Sequence, residues 1–214
     1  MDLPTIRTRV RRDLHDEDAQ NYRWSDAELD RHIGHAVREL SLAVPLEAKA
    51  TPTTTAGSRE LSISSLADLV AIEAVEYPVA KYPPLYVPYS LWGTTLTLLV
   101  DSPPGGVESV SVYYGKLHTL DATTSTIPSP LEELVAVGAA GYAAVEWASF
   151  ATNRVNVGGD DAWRQYLAWG QDRLAAFSKG LAKQGRKNAL RARRLYRPAA
   201  LRPSQTSDWG PSWP

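Results

Sequence analysis

The stretch Ser129 to Lys183, SPLEELVAVGAAGYAAVEWASFATNRVNVGGDDAWRQYLAWGQDRLAAFSKGLAK, reads as two long antiparallel helices joined by a short turn over residues 153–159. Ser129 is a good cap, Pro130 suits the first helical position and Glu132 stands where a capping box needs an acid. Leu131, Leu134, Val135, Gly138, Tyr142 and Val145 then recur at three- and four-residue spacing. Gly138 to Gly141, Ala143 and Ala144 keep that surface shallow, so a neighbouring helix can approach closely. The second helix starts after Gly158-Gly159, with Asp160 and Asp161 at the positive end of its dipole. Its stripe of Trp163, Leu167, Gly170, Leu174, Phe177 and Leu181 alternates spacings of four and three, as in a helix packed along a partner. Trp163, Tyr166 and Trp169 are read as core or interface filler in preference to a base-stacking platform.

Outward from this hairpin, toward the N-terminus, the periodicity changes. Leu61 and Ile63 alternate with Ser, Val70, Ile72 and Ala74 alternate outward, Trp92 to Val100 is rich in Thr and Leu, and Val107 to Tyr114 sets Val and Tyr against Ser. Four or five short strands are expected, with a turn at residues 101–106. The proline-rich run Tyr82 to Tyr89 is unsuited to a central strand. Earlier still, Thr5 is expected to cap a short helix that buries Ile6, Val10 and Leu14 and leaves Arg7, Arg9, Arg11 and Arg12 in solvent. Trp24-Ser25-Asp26-Ala27-Glu28-Leu29 carries a full helix start: Ser25 as cap, Glu28 reaching back, Trp24 stapled against Leu29. Leu29, Ile33, Val37, Leu40 and Val44 line one face until Pro45.

These readings give an α+β fold: a helical core, made of the hairpin plus N-terminal helices, with an inserted small antiparallel β region and an extended C-terminal tail. The expected divisions are 1–50 for the N-terminal helices, 51–128 for the β insert, 129–184 for the hairpin and 185–214 for a basic arm. Leu190, Arg194 and Arg197 can add one or two helical turns before the prolines of the tail.

Charge is distributed unevenly. Residues 1–178 hold 14 Lys/Arg against 23 Asp/Glu, whereas residues 179–214 hold 9 against 1. The tail, with Trp209 and Trp213 near its end, is expected to find an acidic partner surface or nucleic acid. Protein is favoured, because basic aromatic arms anchor well in protein pockets. The absence of cysteine from the sequence excludes disulfides and thiolate catalysis. No signal pattern opens the chain, and Val135 to Val145 is an apolar run of eleven residues bounded by Glu133 and Glu146, too short to cross a bilayer. The expectation is a protein that acts where it is made, without a membrane.

The chemistry-bearing candidates are few. Glu28, His32, His35 and Glu39 lie within an arc of about 60° on a helical wheel, but the stripe is expected to face solvent, and its spacing is not that of a metalloprotease helix. No phosphate loop or nucleophile elbow occurs, and His118 stands apart from any nucleophile motif. No catalytic, cofactor or metal residue is therefore assigned. A DNA-binding regulator using the arm and a metal-dependent hydrolase using Glu28, His32 and His35 are the competing classes.

The order Trp24-Ser25-Asp26-Ala27-Glu28-Leu29 with Ile33 and Ala36-Val37-Arg38-Glu39-Leu40, then Tyr113-Tyr114-Gly115, then Leu134 to Glu146 and Trp163-Arg164-Gln165-Tyr166, resembles the head-to-tail connector (adaptor) proteins of tailed bacteriophages. The resemblance implies a structural virion protein of the neck, assembled in the host cytoplasm. Its members form a ring, dodecameric in the family, that docks beneath the portal, extends the DNA channel and offers its other face to the next tail or neck protein. It also implies that a C-terminal segment reaches the portal, which here means Arg186, Lys187, Arg191, Arg193, Arg194, Tyr196, Arg197, Arg202, Trp209 and Trp213. Genomic DNA would pass without sequence-specific binding, as suits an acidic body. Ala140 and Ala144 are the candidates for the subunit interface.

Overall fold

A computed structural model describes residues 1–151 and 161–196, with side chains described up to residue 188. The loop at 152–160, and with it the turn expected at 153–159, lies outside the described residues. The described elements are helices α1 (Leu3–Asp13), α2 (Asp26–Ala43), α3 (Ser129–Ala151) and α4 (Ala162–Tyr196). Between α2 and α3 lie strands β1 (Leu46–Ala50), β2 (Glu60–Ser62), β3 (Leu69–Glu76), β4 (Tyr89–Trp92), β5 (Thr95–Leu98) and β6 (Ser111–Lys116). The fold is α+β, as expected. It divides into a helical unit of Met1–Leu46 with Leu117–Gly185, and a β unit containing Glu47–Lys116.

In the helical unit α3 is the central element. Ala136, Ala139, Ala140, Ala143 and Ala144 have no exposed surface, and with Val135 they join Ile6, Val10, Leu29, Ile33, Leu40 and Phe177 in one core. The close approach of α3 and α4 is written in glycines. A Cβ on Gly138 would stand 2.9 Å from the Phe177 ring, on Gly141 2.9 Å from Leu174, and on Gly170 2.8 Å from Val145. A Cβ on Gly180 would stand 2.5 Å from Leu134. Residues pair in opposite order along the two helices, which makes the hairpin antiparallel. By length and composition α3, at 23 residues, is able to cross a membrane, so the expectation that no segment is long enough is corrected. Here the same apolar surface is spent on packing against α1, α2 and α4.

The N-terminal helices follow the sequence with two changes. Asp2, not Thr5, caps α1 by accepting from the Thr5 N–H. Arg11, expected in solvent, is buried: it donates to Asp16 at 2.6 Å, to Asp26 at 2.7 Å and to the Trp24 carbonyl at 2.9 Å. Arg7 grips Asp30 with two nitrogens at 2.8 and 2.7 Å, so Arg7 and Arg11 tie α1 to α2, whereas Arg9 pairs with Glu133 of α3. Ser25 caps α2 in a full capping box with Glu28, and Trp24 and Leu29 are both buried in the core. Glu132, expected in a capping box, is buried and bonds the amino group of Met1.

The β unit holds two three-stranded sheets, ordered β1-β6-β3 and β2-β5-β4. β3 pairs antiparallel with β6, and β5 pairs antiparallel with both β2 and β4. Their inner faces meet in a core that includes Leu61, Val75, Leu96, Leu98, Val110 and Val112. Trp92 to Val100, expected as one strand, contains a turn: Gly93 at φ +57° closes a two-residue hairpin loop between β4 and β5. β1 was not expected, since Leu46–Ala50 lacks strong strand formers. The insert therefore starts at Glu47 and not at 51.

It also ends at Lys116 and not at 128, because His118 ties the following loop to the helical unit. The His118 backbone N–H donates to the Ser41 hydroxyl at 2.9 Å. Its ring nitrogens lie 3.0 Å from the Val44 and Thr126 carbonyls.

Candidate interaction surfaces

The basic segment begins on α4. The helical unit ends at Gly185, whereas α4 runs on to Tyr196, so residues 185–196, expected to open an extended arm, continue the helix. Arg186 and Lys187 are exposed. Arg191, Arg193, Arg194 and Tyr196 lie further along the same helix. Arg197, Arg202, Trp209 and Trp213 lie outside the described residues.

Ala140 and Ala144 are fully buried inside the helical unit. That corrects their choice as a subunit interface. Small residues permit close approach, and α3 uses that freedom within its own chain.

The stripe of Glu28, His32, His35 and Glu39 does not simply face solvent. His32 is buried, with Nε2 2.9 Å from Glu146 Oε2 but without hydrogen-bond geometry. Burial lowers its pKa below the ordinary histidine value, and Glu146 opposes that shift only in part. The His35 ring stacks on Tyr142 with centroids 4.3 Å apart. The Tyr142 hydroxyl, which also bonds Glu39, is pushed up to about 12, chiefly by burial. Glu28 accepts from the Ser25 N–H at 2.7 Å and is committed to the cap. Among the described residues no three His, Asp or Glu stand close enough to share a metal ion.

Arg31, His32, Gly34, His35, Arg38, Tyr142, Val145 and Glu146 line a surface cavity of about 660 Å³ between α2 and α3. The aromatic start of α4 is packing. Tyr166 sits 4.4 Å from Trp147 and 6.5 Å from Trp24, ring to ring, and Arg23 lies over all three rings. Trp163 is only half-buried and is not among the residues of that core.

On the β unit, Trp92 at the hairpin tip is 89% exposed and Tyr82 97%. Neither is marked as a surface residue by the local sequence pattern. A tryptophan placed directly before a turn glycine is the available signal, hidden within a Thr- and Leu-rich run that reads as one strand.

A profile of the family described as SU10 adaptor protein matches residues 1–204. The chain belongs to that family, and the resemblance to tailed-bacteriophage adaptors is upheld at this level. No curated protein matches it. Among solved structures it is similar to a chain from the "Neck of empty GTA particle computed with C6 symmetry", at 14% identity, over 76% of this chain and 87% of that one, with a TM-score of 0.28. So distant a likeness adds nothing to the family assignment.

Proposed function

We propose that the protein is a non-enzymatic structural subunit of a phage neck. It forms a ring, docks under the portal through the end of α4 and the residues beyond it, and offers its other face to the next tail or neck protein. Membership of an adaptor family carries this reading. Its support in the molecule is one long helix that starts in the packed hairpin and continues past Gly185 with the basic residues of the arm. A helix rooted in a core holds a charged segment in a set direction. Charge then steers the encounter, while buried aromatic and arginine anchors, each worth about 2 kcal/mol or more, hold the complex. The excess of acidic residues before position 179 suits a channel through which DNA must slide without being gripped.

The test is electron microscopy of the purified protein alone and mixed with candidate portal protein, beside a variant cut after Gly185. Full-length rings that join the portal, with truncated protein that folds but does not join, are the expected result. Salt should slow association more than it speeds release. Truncated protein that docks normally would remove the arm from the mechanism. Tight, steeply salt-dependent duplex binding by the isolated protein would instead favour a DNA-binding role.

A further inference from the structure

Gly34 has no reason to be glycine within one chain. Glycine destabilises a helix interior, and five other helical glycines, Gly138, Gly141, Gly170, Gly180 and Gly185, each have an intrachain atom within 3.3 Å of where a Cβ would stand. Gly34, mid-way along α2, has nothing within 4 Å. It lines the 660 Å³ cavity toward α3 and a second cavity of about 340 Å³ on its other side, and Arg38 lines both. Ala27, Arg31, Arg38 and Leu42 share its exposed stripe, and Leu42 is 62% exposed. Arg38 has no ion pair among the described residues. His32, whose buried Nε2 lies 2.9 Å from Glu146 without hydrogen-bond geometry, lines the larger cavity. At Gly34 the space that a neighbouring helix fills at the hairpin's own glycines is open.

The complementary face is on α4. Ala168, Ala175 and Ala182 are exposed and recur every seven residues, the period of a helix lying along another. Between them stands Asp172, exposed and without an ion pair among the described residues. We propose that the Gly34 face of α2 receives the Ala168–Ala175–Ala182 face of α4 from a second copy of this chain, with Arg38 meeting the partner's Asp172. The two patches differ, so the contact is head-to-tail and propagates from copy to copy, closing when the rotation permits. This rests on the ring reading and supplies its lateral contact.

The sequence contains no cysteine, so a full-length Gly34→Cys/Ala175→Cys variant reports the contact directly under mild oxidation. A ladder of covalent dimers, trimers and higher species on a non-reducing gel is expected, and it should be absent from either single variant. Arg38→Asp and Asp172→Arg should each cut the assembled fraction about tenfold or more, by setting like charges face to face. The double swap should restore it, with helical circular dichroism unchanged throughout. If wild-type protein forms rings by light scattering but no ladder appears and the charge reversals assemble normally, the face assignment is overturned and the ring reading survives. If wild-type protein stays monomeric alone and with portal protein, the ring reading fails and this contact falls with it.

Discussion

Replacing Gly170 and Gly34 by alanine should move stability in opposite directions. In both helices alanine gains about 1 kcal/mol over glycine from propensity alone. At Gly34 nothing opposes that gain, because the new methyl meets no atom within 4 Å. At Gly170 the methyl would stand 2.8 Å from Val145 Cγ2, 3.1 Å from the Gly141 carbonyl oxygen and 3.1 Å from the Val145 nitrogen. Two of those three are backbone atoms that cannot rotate away, so α3 and α4 must separate along the packed hairpin. Overpacking of this kind costs about 1–3 kcal/mol before the loss of neighbouring contacts, which leaves a net destabilisation of about 1–2 kcal/mol. For a chain of this size that is a fall of about 2–8 °C in Tm, against a rise of about 2–4 °C for Gly34→Ala. Thermal unfolding followed at 222 nm, at a protein concentration where light scattering finds monomer, measures both. A Gly170→Ala protein as stable as wild type would refute the account of the hairpin. A destabilised Gly34→Ala monomer would show that Gly34 already has a partner within the chain.

Phe177 is 1% exposed, packs on Gly138 and meets Tyr142 edge-on at 6.4 Å; Phe177→Ala should cost about 3–5 kcal/mol in urea unfolding, whereas Trp163→Ala, outside the core, should cost under about 1 kcal/mol. Arg11→Ala leaves Asp16 buried without its cation and should cost about 3–5 kcal/mol, a loss that an Arg11→Ala/Asp16→Ala double variant should partly recover. Because burial lowers the pKa of His32, the unfolded chain takes up that proton first as pH falls below about 6.5, so stability is complete above that pH and declines beneath it. The urea midpoint should drop between pH 7.5 and 5.5 in wild type and drop less in His32→Gln; equal slopes would dismiss His32 as the titrating group.

Local signals in the sequence were enough where the chain's own neighbours decide the outcome. The capping box at Ser25 and Glu28, the spacing of Ile6, Val10 and Leu14, and the stripe from Gly170 to Phe177 all depend on residues three or four positions apart, and each appears in the structure. The glycines and alanines of α3 announced a close-packed helix, but not which neighbour would use the space. That is why Ala140 and Ala144 read as an intersubunit surface although they are enclosed by the same chain. Arg11 illustrates the same limit. Its burial is set by Asp16 and Asp26, which only folding brings to one place, and without them a solvated arginine is the lower-energy reading. β1 and the Gly93 turn were missed because a strand of modest propensity is held by the pairing it finds in a sheet, not by its own residues. The cavity around Gly34 arises the same way: periodicity placed its histidines on one stripe, but whether that stripe met water or Tyr142 was decided by how α3 crosses α2.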